Sequence, residues 1–154
     1  MAESIILETV KDALAAGSNI IDSAKNEIIW LLPPAFLVLA DQYGVSEKYK
    51  MLIEKGGRGR GLTQISGINR DAARKFLDIG EEVRHIDQFQ GALMLVADKR
   101  ESISSMNVNV ADLSLDDPIV AFWTDDQAYA DFLIAEFEAE WNKAVDAEER
   151  LREL

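Results

Sequence analysis

The chain of 154 residues has no cysteine and only one histidine. Without cysteine, disulfides, thiolate metal sites and cysteine nucleophiles are excluded. A lone histidine, His85, offers no second imidazole for a transition-metal site. No apolar run approaches the roughly 20 residues that span a bilayer. The longest, IIWLLPPAFLVLA over 28–40, is shorter and broken by two prolines. The N-terminus has no basic segment followed by an apolar core, so it does not read as a signal peptide. A cytoplasmic protein without membrane insertion is the expectation. Nothing in the composition calls for a cofactor.

Bases are scarce in the last third. Residues 101–154 hold 14 acids against 3 bases, whereas residues 1–100 hold 14 against 13. Most of the net charge of −12 therefore lies in the final segment. A local excess of bases, 8 against 2 acids, spans residues 48–75. Such runs are usually solvated faces, and the sharper reading is that the basic segment meets an anionic ligand. Direct nucleic-acid binding is not expected, because the overall field repels a polyanion.

The pattern predicts one α/β domain over 1–154, a mixed β-sheet flanked by helices and closed by a long C-terminal helix. Ile6, Val10, Ala13, Leu14, Ile20, Ile21 and Ala24 recur at helical spacing, so the first 25 residues read as helix. EIIWLLPP (27–34) reads as a buried strand. Residues 35–55 read as helix interrupted at Gly44, with Ser46 capping the second half. GGRGRG (56–61) reads as a loop and LTQIS (62–66) as a strand. Asn69 caps a helix that Gly80 stops. EVRHI, GALMLVA, ESISSMNVNV (101–110) and PIVAFW (118–123) complete the strands. Thr124 and Gln127 form a capping-box pattern that opens the last helix.

The stretch EVRHIDQFQGALMLVAD (82–98) joins the histidine to an apolar strand that ends on an aspartate. That strand and the element order resemble the phospholipase D-like fold over residues 20–145. Catalytic members of that family carry His-x-Lys-x4-Asp. There the histidine is the phosphoryl-accepting nucleophile, the lysine binds phosphate and the aspartate supports the histidine. Placing the aspartate on Asp98 puts the lysine slot at Leu93 and the histidine slot at Gly91. Starting from His85 puts the lysine slot at Asp87 and the aspartate slot at Ala92. Neither register supplies the chemistry, since phosphoryl transfer needs an imidazole and fixed cations. The resemblance therefore implies a domain that is not an enzyme.

EVRHID, the glycine-led strand ending in VAD, and the tail FEAEWNKAVDAEERLREL (137–154) are similar to a sensor domain of archaeal sensory histidine kinases. Effector domains of TrmB-type regulators are a more distant likeness. This resemblance implies a non-catalytic sensory or regulatory input domain of an archaeal signalling protein. It would bind a small ligand or a protein partner, pair as a homodimer, and continue in its parent chain to a transmitter or DNA-binding module. The alternative is a scaffold or dimerisation module without a small ligand, and a third reading is a residual phosphodiesterase or nuclease.

The candidate ligand-binding residues are His85, Arg84, Asp98, Arg58 and Arg60. Each has a plain structural alternative. A lone histidine beside an apolar segment is commonly a hydrogen-bonded core residue, and an aspartate at a strand end is commonly a turn residue. KGGRGRG (55–61) lacks the spacing and the lysine-serine/threonine end of a phosphate loop. The acidic pairs Asp116-Asp117 and Asp125-Asp126 have no EF-hand order. Residues 146–154 keep only the apolar line Ala147, Leu151 and Leu154, which predicts a helix projecting from the domain as an output element.

Overall fold

The structure, a computed structural model, describes residues 1–88, 92–105 and 112–154. Strand β1 (Ser4–Thr9) leads into helix α1 (Val10–Ser23), strand β2 (Glu27–Leu31) and helices α2 (Pro34–Gln42) and α3 (Val45–Glu54). Strand β3 (Arg58–Thr63), helix α4 (Arg70–Asp78) and strands β4 (Glu82–His85), β5 (Leu93–Ala97), β6 (Glu101–Ser105) and β7 (Pro118–Thr124) follow. Helix α5 (Gln127–Lys143), strand β8 (Val145–Asp146) and helix α6 (Ala147–Arg152) complete the chain. One sheet of eight strands runs in the order β1-β7-β6-β5-β2-β3-β4-β8. The β2-β3-β4 pairs are parallel and all others antiparallel. This is the single mixed α/β domain that the sequence predicts.

Two apolar layers hold the sheet. One face packs against α1–α4 through Val10, Leu14, Phe36, Leu37, Phe76 and their neighbours. The other is covered by α5 through Ala130, Leu133, Phe137 and Trp141, spaced at three and four residues so that they share one side of the helix. The register places the carboxyl ends of β2, β3, β4 and β6 and the starts of β5 and β7 along one rim.

GGRGRG is the clearest departure from expectation: it is mostly strand, not loop. Arg58, Gly59, Arg60 and Gly61 open β3, and only Leu62 and Thr63 of LTQIS belong to a strand. Its alternation serves two faces at once. The glycines face the α1–α4 layer, where a Cβ on Gly61 would fall inside the Trp30 indole and one on Gly59 would collide with the Glu81 carboxyl. The arginines face α5. Trp30 and Glu81 are both buried, and the indole Nε1 donates to Glu81 Oε1 at 2.8 Å. Glu81 Oε2 has no hydrogen-bond partner among the described residues. Burial pushes the Glu81 carboxyl up to about 8, against the opposing pull of the Trp30 hydrogen bond. Burial, reinforced by Glu81, also raises the Tyr49 phenol well above its ordinary value.

The two ends of the chain also differ from the reading of the sequence. Ser4–Thr9 is an edge strand and not the start of a helix, because pairing with β7 overrides the local helical spacing. The helix begins at Val10, with Thr9 Oγ1 accepting from the Asp12 amide. At the other end α5 stops at Lys143, and Val145–Asp146 pair with His85 and Arg84 of β4. Residues 147–154 then dock instead of projecting. Ala147 is fully buried, Leu151 packs on the core, Arg150 Nε donates to the Ile65 carbonyl at 3.1 Å and Glu148 pairs with Arg74. The projecting segment expected from 146 is therefore corrected to a strand and a docked helical turn. Cap positions shift as well. Asp126 caps α5 through the Ala128 amide, and Ser46 donates to Asp41 instead of capping α3. The second half of ESISSMNVNV (106–110) lies outside the described residues. Among those that are described, no helix is long and apolar enough to cross a membrane.

A carboxyl with a native pKa of about 8 and an ordinary value of 4.5 stays protonated in the folded chain where the unfolded chain has already lost the proton. Its contribution to stability is therefore complete below about pH 4.5 and declines as the pH rises through 8. Glu81→Gln should remove that slope. Urea denaturation should find the variant more stable than the wild type at pH 8 by about 1–3 kcal/mol, and closely matched at pH 5.

Candidate functional site

A large concavity lies along the rim where β5 starts and β6 ends, between α5 and the β5-β6-β7 part of the sheet. It encloses about 1000 Å³. Leu31 and Met94 form its floor; Phe122 of β7 and Tyr129, Phe132 and Leu133 of α5 form a wall. The aromatic side chains support one another. The Phe122 and Tyr129 ring centroids are 5.1 Å apart, and those of Tyr129 and Phe132 are 6.1 Å apart. Polar groups at the rim are held by protein partners: Ser104 Oγ lies 2.8 Å from the Tyr129 hydroxyl and Ser105 Oγ donates to the Val120 carbonyl at 2.6 Å. The charged lining is acidic, comprising Asp112, Asp117, Glu136 and Glu140, and no lysine or arginine is among the described residues that line it. In open α/β sheets, the carboxyl ends of the strands are the usual place for a ligand.

None of the five residues singled out in the sequence is among the described lining of this groove. His85 is buried on the other side of β4's pleat, its Nδ1 accepting from the Ile65 amide at 2.9 Å and its Nε2 lying 2.9 Å from Asp87 Oδ1. With Nδ1 an acceptor, the assigned tautomer carries its proton on Nε2, facing Asp87. Arg84 donates to the Trp141 carbonyl at 2.9 Å and lies 4.3 Å over the Trp141 ring. Arg60 pairs with Glu138, holding that carboxyl below its ordinary range, and sits over the Phe137 and Trp141 rings at 5.3 and 5.4 Å. Arg58 pairs with Glu82 on the neighbouring strand at 2.7 Å. Arg60 and Arg84 thus meet on Trp141, where they fasten the end of α5 to the sheet.

Asp98 is at the opposite end of β5. Five residue steps along the strand, roughly 17 Å, separate it from Leu93. Its carboxylate accepts from the amides of Lys25, Asn26 and Glu27 at 2.9, 2.9 and 3.0 Å, tying the β5-β6 turn to the start of β2. Asp98 and Lys99 both take left-handed backbone angles, φ 52° and 59°, as the two central residues of a type I′ turn require. Partial burial raises the Asp98 pKa, but the three amides and the charge of Arg100 outweigh it and hold the carboxyl below its ordinary value. Leu93 is buried in the α1–α4 core and borders the groove. Gly91, at the expected histidine slot, lies outside the described residues.

The groove-lining residues were poorly signalled in the sequence. PIVAFW reads only as a strand, with nothing to mark an open face, yet Val120 is 77% exposed and only Ala121 and Thr124 of β7 are buried. From Tyr129 onward, Phe132, Leu133, Phe137, Trp141, Ala144 and Val145 read as one apolar stripe that docks the last helix, yet Phe132 is 57% exposed beside the buried Leu133. The available signal was its excess: Ala130, Leu133, Phe137 and Trp141 suffice to dock the helix, and Phe132 falls off that line.

No protein-family model matches the sequence, and no curated protein matches it. Solved structures do match. TrmBL2, an archaeal chromatin protein with a novel mode of DNA binding, superposes with a TM-score of 0.73 at 18% identity, covering 93% of this chain and 54% of that one. NucT from Helicobacter pylori gives 0.73 at 10% identity, covering 95% and 99%. Nuc from Salmonella typhimurium, a phospholipase D family member, gives 0.72 at 13%, covering 95% and 98%. The chain has the phospholipase D-like fold. At these identities the likeness is one of fold, and the chain spans about half the length of TrmBL2, 54%.

Because Asp98 serves three amides at the rim remote from the groove, Asp98→Ala should act on stability alone. The expected loss is about 1–3 kcal/mol by urea denaturation. Asp98→Asn, which keeps an acceptor and tolerates the left-handed turn, should recover part of it.

Proposed function

We propose that the domain is a non-catalytic sensory or regulatory module that takes a small ligand in the groove along the carboxyl rim. The single observation that carries this reading is the groove itself: an apolar concavity at the ligand-binding rim of the fold, whose fixed charges are carboxylates. Phosphoryl transfer builds negative charge on oxygen and needs an imidazole and cations around it. Leu93 supplies neither, His85 has both ring nitrogens committed, and carboxylates oppose the developing charge. The nine residues outside the described set carry no ionisable side chain. The net charge of −12 also speaks against direct nucleic-acid binding.

Helix α5 is the element suited to pass on occupancy. It forms one wall of the groove, and in its last turn Trp141 is clamped by Arg60 and Arg84 shortly before β8 and α6. A ligand that shifts the wall thereby acts on β8 and α6, which are docked behind it. This is the arrangement expected of an input domain in an archaeal signalling protein whose parent chain carries a transmitter or DNA-binding module. Purified protein should turn over bis(p-nitrophenyl) phosphate no faster than buffer, and His85→Ala should not change that rate. Turnover lost in the variant would overturn the non-catalytic reading.

A scaffold or dimerisation role has its own support in β1. This edge strand leaves Ile5 and Ile6 54% and 65% exposed, one on each face of the sheet. A two-fold copy pairing strand to strand would cover both. Sedimentation at micromolar concentration should then show a dimer that Ile6→Lys dissociates; a monomer in the wild type would remove this role.

A further inference from the structure

The charge and shape of the groove point to the class of molecule it accepts. Its hydrophobic wall runs through Phe122, Tyr129 and Phe132, while Glu136 and Glu140 continue the Phe132 side of α5 at four-residue steps. From Phe132 to Glu140 is eight helical residues, about 12 Å, comparable to a medium alkyl chain. The groove is therefore polar at one end and apolar along its length. Glu136 has no partner among the described residues. Glu140 has only Lys143, at 3.8 Å. Asp117 is hydrogen-bonded to the Ser114 amide and hydroxyl, which are neutral, so its charge remains uncompensated there.

An anionic ligand would meet this wall against its field, and a neutral apolar one would leave the carboxylates unused. We infer that the groove takes an organic cation: an ammonium or guanidinium head carried on an alkyl or aryl body. The body lies along Phe122, Tyr129 and Phe132, and the head lies toward Glu136 and Glu140. This inference rests on the ligand-binding reading of the groove and adds the sign of the ligand's charge. The cation's attraction is that of part-exposed charges, so it separates ligands by a modest factor and weakens with salt.

The test uses three probes that share one chain and differ in the head: octylamine, octanol and octanoate, each titrated into the full chain and followed by amide NMR shifts of α5 and β7. Octylamine should bind about three- to tenfold more tightly than octanol, and octanoate more weakly than either. Glu136→Gln with Glu140→Gln should cancel the advantage of the amine while leaving octanol unchanged. Val120→Trp, a change at an exposed groove residue, should weaken all three by filling the cavity. Octanoate binding as tightly as octylamine, or an amine advantage that survives the double variant, would overturn the cation class and leave the groove as a ligand site. No binding of any probe at millimolar concentration, or binding indifferent to Val120→Trp, would overturn the groove reading together with the inference.

Discussion

The indole of Trp30 lies against the backbone of β3 where Gly61 leaves it bare, with the Glu81 carboxyl against Gly59 beside it, and both layers of the domain are organised around that contact. On the helix side Trp30 packs on Phe76 at 5.6 Å, Phe76 packs on Tyr49 at 5.6 Å, and the Glu81 carboxyl closes over the indole nitrogen. No larger residue fits at Gly59 or Gly61 without displacing this cluster. The same period of two turns Arg58 and Arg60 to the opposite face, where Arg60 meets Glu138, Phe137 and Trp141. One six-residue strand thereby seats the α1–α4 layer and anchors α5. Since α5 supplies a wall of the groove, the geometry of the candidate site depends on a contact that lies on the far side of the sheet.

The two rims of the sheet are used differently. At one, Asp98 gathers the β5-β6 turn and the entry to β2 with three amide hydrogen bonds. At the other, the strands open onto a concavity large enough for a small organic molecule. Residues that look reactive in isolation are spent on structure. His85 serves the Ile65 amide, and Arg84 serves the Trp141 carbonyl and ring. What remains for binding is an apolar surface with negative charge at its edge.

Strands whose apolar pattern matched their burial were legible: EIIWL and LMLVA are buried nearly throughout and read as such. The pause at Gly44 was legible too, because its φ of 92° suits only glycine comfortably. Strand β3 was not. Gly-Arg alternation carries no local β-propensity, and its logic appears only when the partner ring, Trp30, comes from another strand. Strand β1 and the docked tail failed for a related reason, since each is defined by pairing with residues 60 or more positions away. The candidate site was hardest. The residues that drew notice were charged or titratable, and those form ion pairs and caps. The groove is built from ordinary Phe, Tyr, Leu and Met side chains whose exposure no single-chain pattern reveals.

The short strand β8 and the helical turn behind it have a consequence for how the sheet can be extended. Beyond β4, the outermost position is a ladder of two residues, Val145 and Asp146, followed at once by α6. So brief an edge offers almost no backbone template to an incoming strand. At the other extreme β1 presents six residues with no strand on their outer side among the described residues. The sheet is consequently polar in assembly, closed at one end and open at the other. A two-fold pairing of like copies through β1 uses both open edges at once, so it closes on itself and does not propagate into a filament.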